Sequence, residues 1–188
     1  MKQDLETIIV KIEEFMNTGK LHLKQSAFER GEKGKNSFNI VSGFSDKQKS
    51  KIEEYVKGLE TAPTQQEFVC EKMRIRGYVY EDGQLNFVRF YTYAQISPDV
   101  WHTFITGKHR PSEDTMFKIM IALQLDEDDA EYFLSLNGAA FNQSNSLHKY
   151  ILACINTQIF DPDEVYEVLK IYKVHNIYRE KKPRKDCM

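Results

Sequence analysis

Along the chain, helical stripes of apolar residues alternate with short breaks. Residues 5–17 set Leu5, Ile8, Ile9, Ile12, Phe15 and Met16 three and four apart, with acids and lysine between them. That spacing makes one apolar helix face. Over residues 19–44 the period is lost and four glycines appear, so a long loop is expected. Ser45 with Gln48 three positions on is a capping-box pattern, opening a helix through Tyr55 and Leu59. Ala62-Pro63-Thr64 breaks the chain, and a boundary is expected there.

Beyond the break the signals tighten. Thr64 and Glu67 form a second capping box before Phe68, Val69, Lys72, Met73 and Ile75, and Gly77 stops that helix. Asp82-Gly83 suits a tight turn, so residues 78–84 are read as a small β-hairpin. Leu85, Val88, Phe90, Tyr91 and Ala94 fit a helix that ends at Ala94-Gln95-Ile96. Ser97-Pro98 then pairs an N-cap with proline at the first helical position. Val100, Trp101, Phe104 and Ile105 supply the inner face of this next helix, and Gly107 ends it. Ser112 caps a helix with Met116, Ile119, Met120 and Leu123. Acids crowd the first turn of the one after, where the helix dipole favours them, and Gly138 terminates it. Leu147, Ile151, Leu152 and Ile155 mark another. Asp161-Pro162 opens the last, with Val165, Val168, Leu169 and Tyr172. The expectation is a mainly α fold in three parts. Residues 1–62 form a helical segment with a long loop, 63–175 a domain of about seven short helices, and 176–188 a basic tail that frays from Tyr178 onward.

Composition narrows the function classes. With 41% hydrophobic and 29% charged residues the chain has the balance of a globular protein. It holds no apolar run of the ~20 residues that a membrane helix needs. The N-terminal stretch mixes acids into its apolar positions, unlike a signal peptide, so a cytoplasmic location is expected. Cys70, Cys154 and Cys187 stand alone, without a CxxC pair, and read as reduced structural residues. No Ser/His/Asp, Cys/His or paired-carboxylate pattern stands out, so no catalytic residue, cofactor or metal is expected. The acids at 126–131 lack the glycine and the distal glutamate of a calcium loop. "GEKGKNS" at 31–37 lacks the spacing of a phosphate loop. Net charge is −2, so any nucleic-acid binding must come from a local patch.

The run "YAQISPDVWHTFITGKHRPSEDTMFKIMIALQLDEDDAEYFLSLNG" resembles a Cro/repressor-type (XRE-like) helix-turn-helix domain. Such modules are common in Gram-positive bacteria, their phages and mobile elements. The matching residues are Ala94-Gln95-Ile96, Ser97 to Thr106, Pro111 to Thr115, Ile121 to Leu125, and Phe133-Leu134 with Gly138. The likeness extends over roughly residues 64–175. It implies a repressor-like bundle with extra N-terminal and C-terminal helices, in which Ser97–Thr106 is the recognition helix.

The resemblance further implies a transcriptional regulator of phage or mobile-element type. It would bind double-stranded DNA as a homodimer, with residues 5–17 and 45–59 available for the interface. The candidate contacts are Ser97, Asp99, His102, Thr103 and Thr106, followed by Lys108, His109 and Arg110 beyond the helix. Arg179, Lys181, Lys182, Arg184 and Lys185 form a secondary basic tail. Where related modules often carry a "F-S-K-I-R"-like run, this chain has Trp101-His102-Thr103-Phe104-Ile105. The basic positions have become Thr103 and Ile105, and Asp99 adds a negative charge. Residues 112–136 contain seven acids and one lysine. These departures support an alternative from another class: a repressor-fold protein-binding module that meets a basic host protein. It could act as a phage-encoded inhibitor of a host defence nuclease, or as an adaptor on the transcription machinery. A third reading, an RNA-binding accessory, lacks a legible aromatic stacking platform.

Overall fold

The computed structural model describes residues 4–17 and 63–179. The expected loop at 19–44 and the helix through Tyr55 and Leu59 lie outside them. Eight helices occur among the described residues. They are α1 (Leu5–Asn17), α2 (Gln65–Ile75), α3 (Phe87–Tyr93), α4 (Pro98–Ile105), α5 (Glu113–Ala122), α6 (Glu127–Leu136), α7 (Ser146–Asn156) and α8 (Pro162–Ile171). The fold is mainly α, as the periodicity predicts. The β-hairpin reduces to one antiparallel bridge, Val79 to Leu85. None of these helices is long and apolar enough to cross a membrane.

Short polar side chains start the helices. The N–H of Val100 donates to Ser97, that of Thr115 to Ser112, that of Asp129 to Asp126 and that of Asp163 to Asp161. Each satisfies a backbone donor that the first turn leaves unpaired. The acids at 126–129 are therefore a helix start.

All seven helices from α2 to α8 end in the same way. A residue at positive φ follows the last turn: Gly77, Gln95, Gly107, Gln124, Gly138, Gln158 and Lys173. The next N–H then reaches back five residues, as in Ile96 to Tyr91, Leu125 to Met120 and Ile159 to Cys154. This is the Schellman closure, and it favours glycine. Three glutamines and a lysine occupy it here at the cost of left-handed strain. Gln158→Gly is expected to stabilise the fold by about 0.5–1 kcal/mol, the strain relieved exceeding the added chain entropy. The urea midpoint should rise with an unchanged slope; a fall would contradict this account.

Helix α5 lies at the centre. Met116, Phe117, Ile119, Met120, Ile121 and Ala122 are all buried, leaving Lys118 as the half-buried exception in that run. Around it α2 packs on α6, α3 on α4, α6 on α7, α7 on α8, and α8 on α5. Phe68 stacks on Phe133, and His148 meets the rings of Phe117 and Phe141 edge-on. Cys154 is fully buried, which pushes its thiol up to about 12; Cys70 is half-buried and also raised, chiefly by burial. Cys187 lies outside the described residues.

Several expectations are corrected. Helix α1 buries Ile8 and Ile12 against α7 and α8, so a division at residue 62 does not separate it from the later helices. Leu85 belongs to the bridge before α3, and Val88 is exposed. The chain does not fray at Tyr178: Ile177 and Tyr178 are 5% and 3% exposed. Their apolar bodies return to the core after α8, which their position next to a charged run conceals.

Candidate nucleic-acid interface

Helices α3 and α4 meet at a tight corner. Ala94 and Ile96 point inward and are buried, while Gln95 takes the positive φ that turns the chain. Ser97 then caps α4. Trp101 is held by the rings of Phe90, Phe104 and Phe87, with centroids 4.8, 5.5 and 5.7 Å away. Gln66 on α2 donates to the Phe104 carbonyl at 3.0 Å. Trp101 and Phe104 are core, as expected, and Ile105 is half-buried. These contacts fix the roll of α4 about its axis.

The opposite side of α4 is open. Ser97, Asp99, His102 and Thr106 are exposed and Thr103 is half-buried. Their hydrogen-bonding capacity differs. Ser97 Oγ already accepts from Val100, Thr103 Oγ1 donates to the Val100 carbonyl at 3.0 Å, and Thr106 Oγ1 donates to that of His102 at 2.7 Å. The side chains of Asp99 and His102 have no hydrogen-bond partner among the described residues. Past Gly107, Lys108, His109 and Arg110 are all exposed, with the Arg110 guanidinium lying near Gly138 at the end of α6. Pro111 is buried and Ser112 caps α5, so the basic turn is anchored on both sides.

The predicted contacts therefore share one helix and its following turn. Of the basic tail, Arg179 is exposed and its backbone N–H donates to Gln95 Oε1 at 3.2 Å. Lys181, Lys182, Arg184 and Lys185 lie outside the described residues. No family model, curated protein or solved structure matches the chain.

Sequence reading passed over Lys118 and the stretch after α8. Lys118 Nζ donates to the Gln95 carbonyl at 3.1 Å and sits 5.6 Å from the centre of the Tyr178 ring. Burial lowers its pKa, partly opposed by Asp114. A single lysine inside "MFKIMIAL" was the available signal. The stretch after α8 forms a strap. His175 pairs with Asp114 at 3.0 Å, Asn176 Nδ2 donates to the Tyr166 carbonyl at 2.9 Å, and Tyr178 is buried beneath Lys118.

A second feature has the opposite charge. A cleft of about 770 Å³ is lined by Asp126, Glu127, Asp161 and Glu164. Arg76 also lines it, but donates to the Leu123 and Gln124 carbonyls at 2.8 and 2.6 Å. Tyr93 on its wall is pushed up to about 12, first by burial and then by Asp161. Among the described residues no three of His, Cys, Asp or Glu are grouped to hold a metal.

Proposed function

We propose that the chain is a DNA-binding transcriptional regulator of repressor type that lays α4 in the major groove. Asp99 and His102 face base edges together with Ser97, Thr103 and Thr106, while Lys108, His109 and Arg110 meet backbone phosphates. The observation that carries this reading is the orientation of α4. Its inner face is locked by Trp101 and Phe104, its polar edge is open, and three exposed basic-capable residues follow. A helix with its side chains is about 10–12 Å across, which suits a groove about 12 Å wide. The resemblance of the sequence to repressor modules supports the same reading. Binding as a homodimer to two-fold sites belongs to it. Its interface would come from surfaces other than Ile8 and Ile12, which α1 uses within its own chain.

The test is a salt titration on random duplex. Wild type is expected to bind at low salt with a steep salt dependence. Lys108→Ala with Arg110→Ala is expected to lower the log–log slope by about two. Absence of binding at low salt would overturn the proposal.

The acidic cleft favours a second reading, in which the chain is a protein-binding module for a basic host partner. A defence nuclease or a component of the transcription machinery would fit. In that case a pull-down recovers a stoichiometric basic protein, and Glu127→Lys with Glu164→Lys releases it.

A further inference from the structure

A hollow of about 410 Å³ opens beside the start of α4, lined by Gln95, Ser97, Val100, Thr115, Lys118 and Arg179. Two cations converge on it, one from α5 and one from the strap. The positive charge of Arg179 is close enough to disfavour that of Lys118. Among the described residues neither has a carboxylate within ion-pair distance. Asp114 favours the charge of Lys118 more than Arg179 opposes it, but it is not within ion-pair distance of Lys118 and hydrogen-bonds to His175 at 3.0 Å. Asp99 is absent from the lining.

Lys118 gives one hydrogen bond to the Gln95 carbonyl, and an ammonium group has three donors. Two like charges lining one polar hollow both attract an anion that enters it. The strap makes this arrangement deliberate. Four separate contacts bring Arg179 to the corner: the His175 pair, the Asn176 bond, the burial of Tyr178 and the bond to Gln95.

We propose that this hollow is a phosphate seat, formed by Lys118 and Arg179 at the start of α4, and that it takes a backbone phosphate of duplex DNA. The DNA source rests on the function proposed above; the seat itself does not. On this arrangement cations flank α4 at both ends, Lys118 and Arg179 at its start and Lys108 to Arg110 at its finish. One groove-spanning helix would then be gripped on both backbones.

Two variants probe the seat without removing its scaffold. Lys118→Met keeps an unbranched apolar side chain at that position and gives up the bond to the Gln95 carbonyl. Arg179→Ala removes an exposed charge and keeps the backbone N–H that binds Gln95. In the first arm, inorganic phosphate replaces chloride at equal ionic strength and thermal unfolding is followed. Wild type is expected to gain about 3–5 °C at about ten times Kd, and the double variant to gain nothing. In the second arm, each single variant is expected to lower the salt slope on duplex DNA by about one.

A phosphate response confined to wild type, together with both drops in slope, supports the whole proposal. That response without any DNA binding keeps the seat but overturns both the DNA source and the regulator reading. If both variants match wild type in both arms, the seat is overturned, even where Lys108→Ala with Arg110→Ala still weakens DNA binding.

Discussion

Trp101→Ala is expected to destabilise the fold by about 3–5 kcal/mol, the cost of emptying a large aromatic site in a packed core. The site is dense: Trp101 is 3% exposed and touches rings from both α3 and α4. With the indole gone, the corner between these helices loses its main apolar contact, and α4 no longer has a fixed roll. On the function proposed above, DNA affinity should therefore fall further than loss of the folded fraction accounts for. The indole Nε1–H is also buried without an acceptor among the described residues. An unmet buried donor costs about 1–3 kcal/mol. Trp101→Phe removes that donor and keeps an aromatic ring, so it should stay within about 1.5 kcal/mol of wild type. Urea unfolding of the two variants is the measurement. Equal losses for Ala and Phe would show that ring packing is not what seats α4. A Phe variant with intact stability but lost DNA binding would instead give the indole a contact role.

How much of this could be read in advance depended on the range of the interaction involved. Caps are local, so Ser97, Ser112, Asp126 and Asp161 announced the starts of α4, α5, α6 and α8 from sequence alone. The inner face of α4 was legible in part: Trp101 and Phe104 are core as their spacing predicts, whereas Val100, expected beside them, is exposed and Ile105 is half-buried. The helix ends were half legible. Gly77, Gly107 and Gly138 signal a left-handed residue, whereas Gln95, Gln124 and Gln158 do not, yet all six adopt it. Tertiary packing on either side outweighs the strain of a side chain there. Long-range pairings left little trace. Nothing near Tyr178 tells that it folds under Lys118, some sixty positions away, because a charged neighbourhood resembles a frayed end. The candidate site divides along the same line. Lys108, His109 and Arg110 follow from their place in the pattern, while Lys118 becomes visible only when the strap is in place.

The geometry also bears on the absence of lysine and arginine from α4. Thr103 and Thr106 turn their hydroxyl protons back to their own helix, so neither is a free donor toward a base. Their oxygens can still accept, and Asp99 accepts only. Asp99, Thr103 and Thr106 are matched to donors, such as the exocyclic amine of cytosine, which leaves His102 and Ser97 to donate toward a base. Specificity on this helix would be narrow and affinity would come from its two ends. With a net charge of −2, such a chain depends on local cations, Lys118 and Arg179 at the corner and Lys108 and Arg110 at the turn.

The second large effect is expected away from that edge, at His148. The ring is 4% exposed and wedged against Phe117 and Phe141, with centroids 5.0 and 6.2 Å away. Its Nδ1 accepts from the Asn142 N–H at 2.9 Å, so its proton lies on Nε2, 2.9 Å from Glu113 Oε1. His148→Ala creates a cavity and leaves the Asn142 N–H unmet, for an expected loss of about 3–5 kcal/mol. His148→Asn can place an amide oxygen where Nδ1 was, keeping the Asn142 bond while giving up Glu113, and should lose about half as much. The difference isolates the backbone bond, and faster amide exchange at Asn142 in the alanine variant alone would locate it. The consequence for function follows from where Glu113 stands. It opens α5 directly after Pro111 and Ser112, which anchor the turn bearing Lys108, His109 and Arg110. Releasing Glu113 loosens that anchor, so both variants should weaken DNA binding, and each should do so in the fraction that remains folded. Unchanged affinity in folded His148→Asn would mean that the basic turn is held by Pro111 and the Ser112 cap without help from His148.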